Sequence, residues 1–221
     1  ESIWFEPFEG ARAEIAAMVR ALARPGRDGR PGDVVRVLVM GPEARLSAEA
    51  MIGDCAELVD GLYGDTWLRD TGPIFYSRTR CAVFRFNGWG GKYLYEFDDQ
   101  VAAQIVAHTG AKAALWDRVL EGGAVNWDGE GTCLTTRECL LNPNRNPGLD
   151  EAGMERLLAE ALGVAKVIWI ERGLLNDHTD GHVDNIARFL APGVVAVQTP
   201  FGADDPHAAR LLEIRQALEG A

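Results

Sequence analysis

Leu120-Glu-Gly-Gly123 runs into Ala124-Val-Asn-Trp127, then a turn Asp128-Gly-Glu-Gly131 and a second run Thr132-Cys-Leu-Thr135. An acid beside glycine, a short strand, a glycine-rich turn and another strand together make a hairpin signature. The same order occurs twice more. Trp67-Leu-Arg-Asp-Thr-Gly-Pro73 precedes Ile74-Phe-Tyr76, a polar turn at 77–80 and a strand over 81–86. Asp180-Gly-His182 precedes a strand over 183–190, a turn Ala191-Pro-Gly193 and a strand over 194–199. Asp70, Glu121 and Asp180 lie 51 and then 59 residues apart, a period that marks a repeat architecture. A helical pattern follows each hairpin, over 98–108, 151–162 and 206–218; the second opens at Asp150 as N-cap and stops at Gly163. Such units set around an axis predict an α/β, propeller-like fold with the acidic starts gathered at one centre. The alternative is an ordinary α+β protein whose glycine-rich turns look periodic.

Upstream, Ile15, Met18, Val19 and Leu22 predict a helix over 11–23. Residues 24–32 hold Pro25, Gly26, Gly29, Pro31 and Gly32 and read as a loop. A strand over 34–40 closes at Gly41-Pro42, a short helix is expected over 46–51, and a weaker strand near 56–59. At 221 residues, 47 % hydrophobic and 25 % charged, one soluble globular domain over 1–221 is the simplest expectation. No apolar run approaches the roughly 18–20 residues of a membrane span, and no secretory signal is visible. A net charge of -11 argues against nucleic acid and suits a small cationic ligand. Cys55, Cys81, Cys133 and Cys139 show no CxxC spacing, so a reducing, cytoplasmic setting without a zinc ribbon is expected. The chain opens without methionine near Trp4-Phe5-Glu6-Pro7 and closes on a helical pattern, Leu211, Leu212, Ile214 and Leu218. Both ends read as truncated.

The densest chemistry lies in Asn176-Asp-His-Thr-Asp-Gly-His-Val-Asp-Asn185, whose only apolar member is Val183. In an extended chain His182 and Asp184 would leave on one face, and histidine beside carboxylate is an acid/base pair poised near neutrality. An aspartate-rich turn with a satisfied histidine is the plainer reading. Asp70, Glu121 and Asp184 at one centre would repel unless a cation stood between them. Guanidinium, with five donors in a planar fork, fits two or three carboxylates. His178 and His182 have the i, i+4 spacing of a zinc pair on a helix, with Asp184 as a third ligand. Gly181 within that spacing, and the strand expected after it, weaken that alternative. Trp67, three residues before Asp70, and Trp89, within Asn87-Gly-Trp-Gly-Gly91, could offer indole faces to a cation. Core packing is the plainer role for Trp67; for Trp89, between glycines, a place on a surface loop is expected at least equally.

Five motifs together resemble the agmatine deiminase family, which includes the bacterial peptidylarginine deiminase-like proteins. They are Trp67-Leu-Arg-Asp-Thr-Gly-Pro73, Phe86-Asn-Gly-Trp-Gly-Gly-Lys92, Leu120-Glu-Gly-Gly123 with Asp128-Gly-Glu-Gly-Thr132, Cys139-Leu-Leu-Asn-Pro-Asn-Arg-Asn-Pro147, and Gly181-His-Val-Asp-Asn185. The resemblance implies the pentein fold, a five-bladed α/β propeller of ββαβ-like repeats around a central site, here incomplete at its N-terminal start and C-terminal blade. It implies hydrolysis of agmatine to N-carbamoylputrescine and ammonia in putrescine biosynthesis, with no cofactor and no metal. Asp70 and Asp184 would grip the guanidinium, and His182 would act as acid and base. Glu121 would orient His182 or line the cavity, and Trp67 and Trp89 would flank the substrate's tail. The partner is thus a small guanidinium compound, with no nucleic acid, no membrane, and self-association into a homo-oligomer left open.

Two departures qualify what the resemblance implies. The family's nucleophilic cysteine lies near its C-terminus in a Gly-Gly-x-Ile-His-Cys context, and none of the four cysteines here matches it; Cys81 and Cys133 read as buried strand residues. His178 stands where the family's Asp-Glu-Thr-x-Gly-His motif has glutamate facing agmatine's far amine, so guanidine hydrolysis is implied more firmly than agmatine itself. The alternatives are a peptidylarginine or other guanidine deiminase, a guanidinium-binding homologue without catalysis, or a metal-dependent hydrolase using His178, His182 and Asp184.

Overall fold

Helical spacing of apolar residues near the start of the chain produces α1 (Glu9–Ala23), which buries Ala16 and Val19. Strand β1 (Arg36–Val39) then pairs in parallel with β2 (Glu57–Asp60), Arg36 opposite Glu57 and Val39 opposite Asp60. Parallel neighbours need a crossover, and α2 (Gly41–Ile52) supplies it. This helix is longer than the 46–51 expected, because Pro42 in its first turn starts a helix as well as closing a strand. Ile52 joins Ala16 and Val19 in a small core flanked by Val35, Val37, Ala48, Met51 and Ala56. The computed structural model describes residues 8–202 and 204–221; Trp4-Phe5-Glu6-Pro7 lies outside them. The chain divides into two compact units at Tyr63 and Gly64.

From Gly64 on, one module is built twice. The one-turn helix α3 (Leu68–Thr71) leads into antiparallel β3 (Ile74–Ser77) and β4 (Arg80–Arg85). The irregular turn α4 (Gly88–Gly91) follows, then α5 (Val101–Thr109) and β5 (Lys112–Val119), which lies parallel to β4. A 3-10 turn, Gly122–Ala124, leads into antiparallel β6 (Val125–Trp127) and β7 (Thr132–Thr136). After the short α6 (Arg137–Leu140), α7 (Glu151–Leu162) returns the chain to β8 (Lys166–Ile170), parallel to β7. A second 3-10 turn, Val183–Asn185, leads into the hairpin β9 (Ala187–Ala191) and β10 (Val194–Val197), and α8 (Ala208–Glu219) follows. The sheets are separate and open, with strand orders β3-β4-β5, β6-β7-β8 and β10-β9.

The module is therefore ββαβ, as the repeats predict, although the sequence reading did not place β5 or β8. Strand β5 hides only Val119 and shows no regular alternation of buried and exposed residues, so it carries no period-2 signal. As expected, α7 is capped by the Asp150 side chain, which accepts from Gly153 N at 2.8 Å, and it ends at Gly163. Strand β7 is covered on both faces. Cys133 packs with Val125, Met154 and Leu158, whereas Leu134 packs with Ile170, Val183, Leu211 and Ile214. Successive side chains of a strand point oppositely, so one strand serves two cores.

The expected strand over 183–190 begins only at Ala187, since Val183–Asn185 is a 3-10 turn. Each hairpin is thus headed by a single helical turn with an acid in or beside it. Those acids are Asp70 within α3, Glu121 just before Gly122–Ala124, and Asp184 within Val183–Asn185. This corrects the register of the repeat: the third acid is Asp184 and not Asp180.

Candidate active site

Asp70, His182 and Asp184 converge over Gly123. A methyl group added to Gly123 would lie 2.5 Å from His182 Nδ1, 2.7 Å from Asp70 Oδ1 and 2.9 Å from Asp184 Oδ2. No residue with a side chain fits there, which gives the second glycine of Leu120-Glu-Gly-Gly123 its physical reason. The extended geometry expected for His182–Asp184 is replaced by the 3-10 turn, yet both side chains still reach this point. Asp70 Oδ1 accepts from Gly123 N at 2.8 Å, and Oδ2 accepts from Trp89 Nε1 at 3.0 Å. His182 Nδ1 stands 3.7 Å from Asp70 Oδ1, and its backbone N–H donates to Thr179 Oγ1 at 3.1 Å. Asp184 Oδ2 accepts from Arg188 Nη2 at 3.1 Å.

Burial pushes the Asp70 carboxyl above its usual range, against the pull of Trp89 and Gly123. Burial does the same to Asp184, against His182 and Arg188. Burial also lowers the His182 imidazole, with Glu121, Asp184 and Asp177 pulling it back. A neutral, enclosed imidazole beside two under-compensated carboxylates is arranged to receive a cation and exchange protons with it.

Glu121 and His182 are both buried, and Glu121 Oε2 and His182 Nε2 have no hydrogen-bond partner among the described residues. The other Glu121 oxygen, Oε1, accepts from Arg145 Nε at 2.8 Å, and both of these side chains are fully enclosed. Cys139 lies at the same spot. Among the described residues Glu121, Cys139 and His182 are the one group whose ligand atoms come within 4.8 Å of one another. The cation Glu121 holds there is Arg145. Burial, and then Glu121, drive the Cys139 thiol well above its ordinary value. The metal set His178, His182 and Asp184 does not form: His178 is exposed and turns to Tyr93, stacking at 5.9 Å with its Nδ1 on the phenol.

Trp89 is 5 % exposed and not on a surface loop as the glycines around it suggested. Its backbone is left-handed, at φ 53, and its ring meets Phe86 edge-on at 4.9 Å. The indole therefore orients Asp70 through its N–H. Trp67 is 48 % exposed, at the head of α3, and its carbonyl accepts from Asp70 N at 3.0 Å. Cys81 and Cys133 are buried as expected. The sequence reading missed Arg145, Lys92, Tyr93 and Thr179. Arg145 and Lys92 stood inside quoted motifs, but no local pattern showed that they reach across to the Asp180 turn.

The whole chain, residues 1–221, matches the Porphyromonas-type peptidyl-arginine deiminases. The chain belongs to that family. It is 37 % identical over 226 residues to the agmatine deiminase of Pseudomonas aeruginosa, covering 98 % of this chain and 60 % of that protein. It is 39 % identical over 234 residues to the agmatine deiminase of Stutzerimonas stutzeri, covering 99 % and 60 %. The structure of Enterococcus faecalis agmatine deiminase superposes with a TM-score of 0.86 at 29 % identity, covering 99 % of this chain and 60 % of that one. The chain spans about half to three fifths of the length of such relatives, 53 % for one from Pectobacterium atrosepticum. Its fold is thereby the pentein-type α/β fold of the family.

Proposed function

We propose that this protein is a guanidine deiminase of the agmatine deiminase type, converting agmatine and water to N-carbamoylputrescine and ammonia for putrescine synthesis in the cytoplasm. The observation that carries this is the convergence of Asp70, His182 and Asp184 over Gly123. Two carboxylates on one side of a guanidinium keep it cationic and its carbon electron-poor. Neutral His182 takes the proton of a thiol as its sulfur adds to that carbon, then gives that proton to the departing ammonia, and a thiouronium remains. His182, neutral again, takes a proton from water as the hydroxide adds; the sulfur leaves and recovers that proton from His182, the new hydroxyl releases its own proton to solvent, and the ureido product forms.

None of the four cysteines here suits the thiolate. Cys81, Cys133 and Cys139 are buried, Cys133 pushed up to about 12 by burial, and none of the four, Cys55 included, stands in a Gly-Gly-x-Ile-His-Cys context. We assign the nucleophile to a cysteine outside these 221 residues. Glu121 supports His182, and Trp67 lines the approach.

The test is a ureido-product assay on the full-length protein with agmatine, free arginine and a peptidyl-arginine, before and after iodoacetamide. Turnover of agmatine that iodoacetamide abolishes is the expected result. Preference for an arginine substrate would move the assignment within the family, toward a site in which His178 faces no amine. No ureido product from any guanidine would sink catalysis.

A further inference from the structure

Arg145 belongs to Asn142-Pro-Asn-Arg-Asn-Pro147, a motif the chemistry above leaves without a task. Its side chain is fully enclosed, yet all three nitrogens are engaged. Nε donates to Glu121 Oε1 at 2.8 Å, Nη2 to the Thr179 carbonyl at 2.9 Å, and Nη1 to Asn144 Oδ1 at 2.9 Å and to Asp180 Oδ2. One rigid fork therefore bridges the turn that bears Glu121 and the turn that delivers His182. Asp180 Oδ2 also accepts from Asn144 Nδ2 at 3.0 Å, and the other oxygen, Oδ1, accepts from Lys92, which also donates to the His178 carbonyl at 2.9 Å. That support has a reason in the backbone. Asp180 and Gly181 sit at φ 63 and φ 86, so the chain enters His182 through left-handed conformations, one of them on a residue with a side chain.

We infer that Arg145 is a positioning residue: it fixes Glu121 beside His182 and clamps the Asp180–Gly181 turn from which His182 projects. It sets charge as well as place. The groups facing His182 are Asp70, Glu121, Cys139, Asp177 and Asp184, with Arg145 the cation that faces both His182 and Glu121. Arg69 and Arg188 stand toward Asp184, and Lys92 toward Asp180. Removing a buried cation raises the proton affinity of every group near it, whichever member of the Glu121–His182 pair takes the proton.

The experiment is NMR of ¹³C-labelled histidine in the full-length protein, with the His182 resonance assigned by its loss in H182Q. It is run on wild type, R145Q and R145K, with pH profiles of kcat alongside. In R145Q the midpoint of proton uptake at His182 moves to higher pH by about one unit or more. R145K restores the charge and returns the midpoint to wild type. It does not restore the fork, and kcat stays about 100-fold low, the cost of a displaced catalytic group. A folded R145Q with the wild-type midpoint overturns the inference, since Arg145 would then set no charge at His182, and R145K with wild-type kcat overturns its role in placing the pair. Should R145Q not fold, R145K decides: wild-type kcat at every pH overturns the inference, and a loss of tenfold or more with an unmoved midpoint upholds it. The kcat comparison rests on the deiminase reading. The titration needs no substrate, so it judges Arg145 even if no guanidine is turned over.

Discussion

Ten residues, Asn176 to Asn185, hold aspartates of two opposite kinds. Asp177 and Asp180 are surrounded by donors. Asp177 accepts from Thr179 N at 2.9 Å, Thr179 Oγ1 at 2.7 Å and Asn185 Nδ2 at 3.0 Å. Asp180 accepts from Lys92, Asn144 and Arg145. Burial alone would raise both carboxyls, but these donors outweigh it and hold both below the ordinary value. Asp184, four residues beyond Asp180, accepts from Arg188, and burial wins there. Asp70 resembles Asp184 in this, although it is far away in sequence. A carboxylate fully answered by its own chain holds the fold; one left short of positive charge is available to a cationic ligand. The direction of the shift separates the two, where the residue type cannot.

The largest effect should fall on the second kind. On the deiminase reading, Asp184→Asn removes an attraction to the guanidinium that acts through the reaction, and kcat/KM should fall about 10²–10³-fold. Its raised carboxyl favours the protonated form in the fold, a contribution to stability present below the unfolded value near 3.9 and lost as pH rises through the folded one. The neutral amide should therefore leave the melting temperature at pH 7 unchanged or higher. A fall of several degrees would mean that Asp184 is structural and that the contrast with Asp180 is mistaken.

Asp180→Asn should do the reverse in stability. Arg145 keeps Glu121 but loses its second carboxylate, and Lys92 loses its ion pair, at a cost of about 1.5–3 kcal/mol. A drop in melting temperature of roughly 2–4 °C for each kcal/mol is expected in a chain of this size. Activity should fall too, through the Glu121–His182 alignment, and the melt is the reading that discriminates.

A smaller and pH-dependent loss is expected for Asp177→Asn, about 1–2 kcal/mol at pH 7 for weakened charge-assisted hydrogen bonds. Its folded carboxyl is depressed, so that stability is present above the unfolded value and lost as pH falls through the folded one. Denaturation curves of wild type and variant should converge as pH falls through the folded value, where the wild-type carboxyl is protonated as well. A gap that stays constant with pH would make the contact steric. The smallest effect is assigned to Trp67→Ala. An exposed indole beside the approach contributes about 1 kcal/mol to holding a cation, so KM should rise up to tenfold with kcat and melting temperature near wild type.

Part of this was legible in the residues and part was not. The acid-glycine-hairpin units were readable because strand alternation, glycine-rich turns and capping residues are local signals, and they marked out β3, β4, β6, β7, β9 and β10. Strands β5 and β8 were not placed. A mostly exposed strand such as β5 pairs through its backbone, and backbone pairing leaves no imprint on side-chain pattern. His182, Asp184, Asp70 and Glu121 stood out through their density and their glycines. Asp180 stood out equally and was given the place in the repeat that belongs to Asp184.

What the sequence determined by itself, then, is the set of chemical groups and the order of the modules, because both are written in residue type and short-range spacing. The tertiary structure alone decided which carboxylates are answered and which are left waiting. That depends on Lys92, Asn144 and Arg145 arriving at Asp180 from 35 to 88 residues away in the chain, while Asp184 meets Arg188 from its own turn. Electrostatic balance is set by distance and burial in space, and neither quantity exists until the chain has folded.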